Sequence, residues 1–457
     1  MSARTCLSIV LAAGEGTRMK SDRPKVLHEV AHRSMLAHAL HALASAGGTA
    51  AAVIVGPDRE DVAREARRVV PEATIHVQVD RLGTAHAALQ AREVLGRGYD
   101  DVVIAFGDTP LVTPETYSAL RAALATGVAV VGLAFEAANP FGYGRMIVEN
   151  GVFSRIVEEK DANAAERQVT LCNGGLMALD GKRALDLLTR IGNANAKGEY
   201  YLTDAVAVAK SLGLSTALVV ADEEEVRGVN DRVQLAEVEA ILQRRYRRGA
   251  LLGGATLTAP ETVFFAANTI VGRDVVIEPH VVFGPGVTIA DGVTIRAFSH
   301  LAGCSVARGA IIGPFARIRP KSVIGEDVHI GNFVEVNRTT LAAKVEANHL
   351  AYLGDATVGE GTNVGAGTIT CNFDGADKHA THIGRNVFVG SNSTLVAPLT
   401  IGDEVLIAAG SVVTDNSPDG SLVFGRARQE TKPDKGAARI RANGQRRAER
   451  KAREKGR

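Results

Sequence analysis

Between residues 271 and 413 the chain repeats one six-residue unit, and that period decides the shape of its C-terminal half. An aliphatic or Phe side chain stands at Val271, Ile277, Phe283, Ile289, Ile295 and Leu301, then after a one-residue slip at Val306, Ile312, Ile318, Ile324, Ile330 and Val336. After a longer interruption the period resumes at Ile383, Val389, Leu395, Ile401, Ile407 and Val413, and glycine often comes next, as at Gly325 and Gly384. A period of six matches neither the 3.6 of a helix nor the 2 of a hairpin sheet. It matches a solenoid of short strands, three to a turn, whose inward aliphatics stack about 4.8 Å apart along the axis. One repeat cannot bury its apolar residue alone, so the core exists only as a stack. A β-helix is expected.

At 457 residues the chain exceeds one compact core, and two or three domains are expected. Trp is absent and aromatics are 4% of residues, which suits a Gly-turned solenoid better than an aromatic-rich sandwich. Cys6, Cys172, Cys304 and Cys371 are scattered without a CxxC pair and read as reduced thiols. The N-terminus runs at once into the strand-like LSIVLAAG. It has neither a signal-peptide cleavage pattern nor the length of a membrane span, so a cytoplasmic protein is expected. Residues 434–457 carry a net charge of +7, leaving −6 on residues 1–433 of a chain whose total is +1. That tail reads as a solvated, disordered extension rather than a nucleic-acid or anionic-surface binder.

Residues 1–230 alternate apolar runs with helical patterns, as α/β domains do. The patterns place strands at 7–11, 51–55, 74–78, 101–105 and 128–134 and helices at 34–46, 58–69, 84–95 and 114–125. Residues 231–252 form a linker helix with Leu235, Val238, Leu242 and Tyr246 on one face. The solenoid then fills residues 253–433. In the N-terminal part the loop after the first strand reads LAAGEGTRM at 11–19, with Pro24-Lys25 behind it. Gly14 and Gly16 let backbone N–H groups approach an anion, and Arg18 and Lys25 add two cations. The GK[ST] ending of a Walker A loop is missing. Gln78 and the run Leu82-Gly83-Thr84-Ala85-His86 offer amide, hydroxyl and backbone groups to a base edge. Asp108 ends a strand in a carboxylate suited to Mg²⁺, while Gly142-Tyr143-Gly144-Arg145, Glu158 and Asn173 suit a sugar pocket.

The loop with Arg18 and Pro24-Lys25 resembles that of sugar-nucleotide pyrophosphorylases. To about residue 430 the chain is similar to the bifunctional N-acetylglucosamine-1-phosphate uridylyltransferase/glucosamine-1-phosphate acetyltransferase family. That resemblance implies a Rossmann-like α/β nucleotidyltransferase domain with a mixed sheet, joined by a helical linker to a left-handed parallel β-helix of hexapeptide repeats. It assigns Leu11, Ala12, Ala13, Gly14, Lys25, Gln78, Gly83, Thr84, Gly144, Glu158, Asn173 and Asn230 to the uridine nucleotide and sugar. It gives Asp108 and Asn230 to Mg²⁺. Arg18 would stabilise charge as the sugar phosphate attacks the α-phosphorus of UTP and pyrophosphate leaves.

In a solenoid the informative places are those where the repeat fails: Arg319, the stretch from Asn337 to Leu353, and the excursion from Gly367 to Ile383. His349 lies in the second of these beside Tyr352, and a neutral imidazole is matched to take a proton from an amine near pH 7. The resemblance makes His349 the general base that activates the amine of glucosamine-1-phosphate toward acetyl-CoA. It places Arg319, Tyr352, Asn363 and Lys378 on the sugar phosphate, and Ala366, Asn372, Phe373, Ser391, Ala409 and Arg426 along the coenzyme A groove. It also implies a homotrimer.

One departure stands out. The family carries lysine at the position of Asn337, where this chain reads VEVNRT. Arg338 is adjacent, but neighbouring strand residues face opposite ways; either acceptor affinity is weaker or a local bend brings Arg338 round. Glu15 and Phe106 differ where backbone atoms carry the contact. A nucleotidyltransferase for another sugar, with the β-helix an inert scaffold, and a regulatory protein without activity are the competing readings. The break around His349 argues against the first, and intact Arg18, Lys25, Asp108 and Asn230 against the second. A zinc site from Cys371, His379 and His382 is not expected, because three ligands at that spacing match no common pattern.

Overall fold

The computed structural model describes residues 4–195 and 197–455. The chain forms two compact units, Met1–Val287 and Thr288–Arg457, so the division falls inside the repeat region.

In the first unit the apolar runs become strands β1 (Cys6–Ala12), β2 (Ala50–Val55), β3 (Thr74–Val77), β4 (Asp101–Phe106), β5 (Val130–Glu136), β6 (Arg145–Glu149), β7 (Val152–Val157), β8 (Leu171–Asp180) and β9 (Thr216–Ala221). Their order is β9-β5-β8-β4-β1-β2-β3, with the β6–β7 hairpin hung from β8. β1 pairs in parallel with β2 and β4, whereas β8 runs antiparallel to β4 and β5, so the sheet is mixed. β1 is buried along its whole length, which is why its sequence is a continuous apolar run rather than an alternating one. The five strands expected from sequence form within two residues of their bounds. β6 to β9, with less regular patterns, were not anticipated. The helix expected over 84–95 breaks into Thr84–Leu89 and Arg92–Leu95.

The linker helix Arg232–Leu252 is capped by Asp231, whose side chain accepts from the Gln234 N–H, and it buries Val238, Ile241 and Leu242. It is tied to the first repeats by one buried carboxamide. Gln243 Nε2 donates to the Phe265 carbonyl at 2.7 Å and its Oε1 accepts from the Phe265 N–H at 2.8 Å. Pairing of Thr256–Leu257 with Val276–Ile277 starts the solenoid inside this unit.

The second unit is a left-handed parallel β-helix. Ile289, Val306, Ile324, Leu341, Val358, Ile383 and Ile401 stack in register along one face. Ile312, Ile330, Ala347, Val364, Val389 and Ile407 stack along a second. Each of these residues is at most 4% exposed, so the six-residue period is the core. The stretch from Asn337 to Leu353 is not a break. The register passes through Leu341, Ala347 and Leu353, and the period looked lost because a slip and a small residue coincide there. The excursion is real: the register steps from Val358 to Ile383 across a loop in which Phe373 bridges Lys378.

The basic tail departs from expectation. Lys435–Lys455 is an α-helix, although its residues through Glu454 are exposed as a solvated segment's would be. Its Ala, Arg, Lys, Glu and Gln are strong helix formers, and Arg450 and Glu454 pair at i,i+4 spacing.

Candidate active sites

Beyond β1 the chain turns through Gly16, whose φ is 66°. A Cβ there would lie 2.6 Å from the Lys25 Cβ, so a side chain at this point would displace Lys25. Lys25 Nζ forms an ion pair with the Asp108 carboxylate and lies 3.5 Å from Asn230 Oδ1. Asn230 Oδ1 also accepts from Arg18 Nη2 at 2.8 Å. Two further bonds fix this cluster: the Val229 N–H to the Asp108 carbonyl at 3.0 Å, and the Asn230 N–H to Gln234 Oε1 at 2.7 Å. Four residues from three distant parts of the sequence therefore meet at one point.

Two cavities border that point, and a third shares Thr84 and Phe106 with one of them. One of about 290 Å³ is lined by Leu11, Ala12, Ala13, Gly14, Lys25, Gln78, Gly83, Thr84 and Asp108. A second, about 340 Å³, is lined by Gly14, Arg18, Lys25 and Asn230. The third, about 630 Å³, is lined by Thr84, Phe106, Glu158 and Asn173. Gly83 has a φ of 114°, and a Cβ there would come within 2.5 Å of the Tyr200 carbonyl. The turn is thereby held against Tyr200, with Thr84 Oγ1 accepting from the Leu202 N–H at 2.9 Å. Gly144 lines none of the three but accepts through its carbonyl from the Asn173 N–H at 2.8 Å. Arg145, grouped with the sugar pocket in sequence, is buried and paired with Glu159 at 2.7 Å. Burial raises the Glu158 carboxyl pKa; Lys197 opposes this and Asp161 adds to it.

Sequence reasoning missed Arg81. Its Nε donates to the Ala13 carbonyl at 3.1 Å and its guanidinium pairs with Glu15, bracing the loop. The only sequence signal was the Glu15 departure itself. For a metal, the Asp108 carboxylate and Asn230 Oδ1 both face the Lys25 ammonium, so two hard oxygens already converge on a positive charge. That donor set fits a divalent cation, which would take further oxygens from water and phosphate.

In the second unit register places His349, Ala366, Ser391 and Ala409 in one column. Asn332 opposes His349 one coil away. His349 stands two residues beyond Ala347, as Ala366, Ser391 and Ala409 stand beyond Val364, Val389 and Ile407. Backbone bonds join this column coil to coil: Gly367 N–H to the His349 carbonyl, Asn392 N–H to that of Ala366, and Gly410 N–H to that of Ser391. Below an exposed imidazole there is thus a column of small side chains, ending where Arg426 lies over Gly410. His349 Nδ1 is 3.0 Å from Asn332 Oδ1. An amide oxygen only accepts, so in the neutral imidazole Nδ1 carries the proton and Nε2 keeps its lone pair. Asn332 was not foreseen, since only the register reveals it.

Arg319 pairs with Glu335 at 2.9 Å, and Glu335 opposes Tyr352 in register. Asn363 donates to Glu346 at 3.3 Å. Asn372 donates to Asp355, whose carboxyl pKa is lowered first by the hydrogen bond from Arg338 and also by Asn372 and Lys378. His349 and Tyr352 are separated by a corner at Leu350, whose φ is 51°.

Comparison with known proteins agrees with both halves. A MobA-like NTP transferase domain matches residues 8–166, and the bacterial transferase hexapeptide family, a model of six repeats, matches residues 268–303, 303–338 and 380–415. The bifunctional protein GlmU of Azorhizobium caulinodans is 56% identical over 444 residues, covering 97% of this chain and 99% of that protein. The chain belongs to the GlmU family. GlmU proteins of Xanthobacter autotrophicus and Agrobacterium fabrum are 54% and 51% identical, covering 94% and 98% of this chain and 96% and 99% of theirs. As a GlmU-type chain it is an enzyme with two activities, N-acetylglucosamine-1-phosphate uridylyl transfer and glucosamine-1-phosphate acetyl transfer. Among the described residues no helix is long and apolar enough to cross a membrane.

Proposed function

We propose that the two sites act in turn on one amino sugar, with the residue roles that follow. In the second unit the amine of glucosamine-1-phosphate attacks the acetyl-CoA thioester, the C–S bond breaks, and coenzyme A leaves as the thiol. His349 Nε2 takes the amine proton, in the tautomer that Asn332 selects. Arg319, Tyr352, Asn363 and Lys378 bind the acceptor. Ala366, Asn372, Phe373, Ser391, Ala409 and Arg426 accommodate coenzyme A, the small side chains letting an extended ligand lie close to the coils.

In the first unit the phosphate of N-acetylglucosamine-1-phosphate attacks the α-phosphorus of UTP and pyrophosphate departs. Leu11 to Gly14, Gln78, Gly83 and Thr84 hold the nucleotide; Gly144, Glu158 and Asn173 shape the sugar pocket. Asp108 and Asn230 bind Mg²⁺, which when present neutralises charge on the phosphates. Arg18 and Lys25 add fixed cations beside the same atoms.

The single observation behind this reading is the convergence of Arg18, Lys25, Asp108 and Asn230 on one point bordering two of the cavities. A trimer is proposed on a separate ground. Phe298, Phe315 and Phe333 stack at ring separations of 5.0 and 5.2 Å and are 51%, 44% and 55% exposed, with exposed Leu350 also apolar beside His349. An apolar column of that kind suits a second copy of the chain. Cytoplasmic location follows from the co-substrates. The test is to assay each half-reaction alone. Arg18→Ala should abolish UDP-N-acetylglucosamine formation and keep acetyl transfer, and His349→Ala should do the reverse; normal turnover by either variant in its own half-reaction overturns its assignment.

A further inference from the structure

Asn337 ends the strand Glu335–Asn337 and is 3% exposed. Its Nδ2 lies 3.5 Å from the Tyr352 hydroxyl. The next residue, Arg338, has a φ of 51°, so the alternation of an extended strand stops and its side chain is redirected. Arg338 Nη1 donates to Asn337 Oδ1 at 3.2 Å, while Nε and Nη2 donate to the two Asp355 oxygens at 2.5 and 2.7 Å. The buried carboxamide of Asn337 thus connects the guanidinium to Tyr352, and Asp355 grips it from the next coil.

A guanidinium has five N–H donors, and these contacts use three. The Arg338 side chain is 30% exposed, so the remaining donors can reach solvent or ligand, as buried Asn337 cannot. The surrounding charges leave room for an anion. Arg317 and Arg319 share Glu335, and Arg338 and Lys378 share Asp355, giving four cations against two carboxylates. A fork clamped on one edge and open on the other suits the bidentate recognition of a phosphate group.

We propose that Arg338 binds the phosphate of the amino-sugar phosphate acceptor, with Asp355 and Asn337 holding its guanidinium in place. This rests on the reading of the Tyr352 face as the acceptor site, and it makes Arg338 the cation that Asn337 does not supply. Three full-length variants test it: Arg338→Ala, Arg338→Lys and His349→Ala. Acetyl transfer is measured with glucosamine-1-phosphate and with glucosamine, which lacks the phosphate. Inhibition by inorganic phosphate is measured in parallel, and uridylyl transfer in the same preparation reports folding.

Arg338→Ala should raise KM for glucosamine-1-phosphate about 10-fold or more, as expected for losing hydrogen bonds to a charged group. KM for acetyl-CoA should stay within about 2-fold on the same grounds, and the preference for the phosphorylated acceptor and inhibition by phosphate should fall together. Arg338→Lys should recover part of the loss. Equal losses with both acceptors would mean that the Arg338–Asp355 pair only joins coils and would overturn the proposal, as would an unchanged KM. Full acetyl transfer by His349→Ala would instead remove the site reading on which the proposal stands.

Discussion

The hydrogen bond between Asn332 and His349 gives the acetyl-transfer half its sharpest test. His349 is exposed, and among the described residues Asn332 Oδ1, 3.0 Å from Nδ1, is the hydrogen-bond partner of its ring. Asn332→Ala removes that acceptor and leaves the base in place. A typical net hydrogen bond contributes about 0.5–1.5 kcal/mol. At about 1.4 kcal/mol per factor of ten, kcat for acetyl transfer should fall about 2- to 12-fold. Loss of the base itself in His349→Ala should cost on the order of 10²–10⁴-fold. The assay is thiol release from acetyl-CoA at saturating glucosamine-1-phosphate and pH 8, with uridylyl transfer on the same samples. Asn332→Asp, which keeps an oxygen acceptor at that point, should lose less than Asn332→Ala. If Asn332→Ala matches wild type, the ring is oriented by something else. If it is as inactive as His349→Ala, a role confined to orientation is wrong.

Three more outcomes follow from the packing and the shifted carboxyls. Ile330→Ala opens a cavity in the stacked core and should destabilise the second unit by about 2–5 kcal/mol in denaturant unfolding; a loss under about 1 kcal/mol would argue that the stack is not what holds the coils. Burial raises the Glu158 pKa, so its ionised form is disfavoured in the fold and the penalty grows as pH rises through that raised value. Glu158→Gln should therefore raise Tm at neutral pH and not at low pH, while weakening binding of N-acetylglucosamine-1-phosphate. Asp355 has the opposite sign: Arg338 depresses its pKa, so its contribution is present above the ordinary carboxyl range and is lost as pH falls through the depressed value. Asp355→Asn should be less stable than wild type at pH 7, with the Tm gap closing below about pH 4. A gap independent of pH would remove the ion pair from the explanation.

The fold was readable where one residue type recurs under one constraint. Ile312, Ile330 and Val389 announce the solenoid because every coil must fill the same interior slot. The β1 loop was readable because Gly14, Gly16, Arg18 and Lys25 are close in sequence. Asn332 and Arg338 were not, for different reasons. Asn332 matters through a partner one coil away, and a sequence does not state which coils take 17 residues and which 18. For Arg338 the sequence left open whether it faces away from Asn337 or is brought round by a local bend, and the left-handed corner at Arg338 supplies the bend. The tail misled because its charge argued for solvation, which holds, while its helix formers argued for a helix, which also holds.

On this reading one chain carries two separable sites, each drawing its described residues from its own unit, joined by a diffusible acetylated sugar phosphate. Mixing Arg18→Ala with His349→Ala in the presence of glucosamine-1-phosphate, acetyl-CoA, UTP and Mg²⁺ decides whether the sites are separable. Neither variant alone should yield UDP-N-acetylglucosamine, and the mixture should. Product from either variant alone, or none from the mixture when each retains its other half-reaction, would contradict the account.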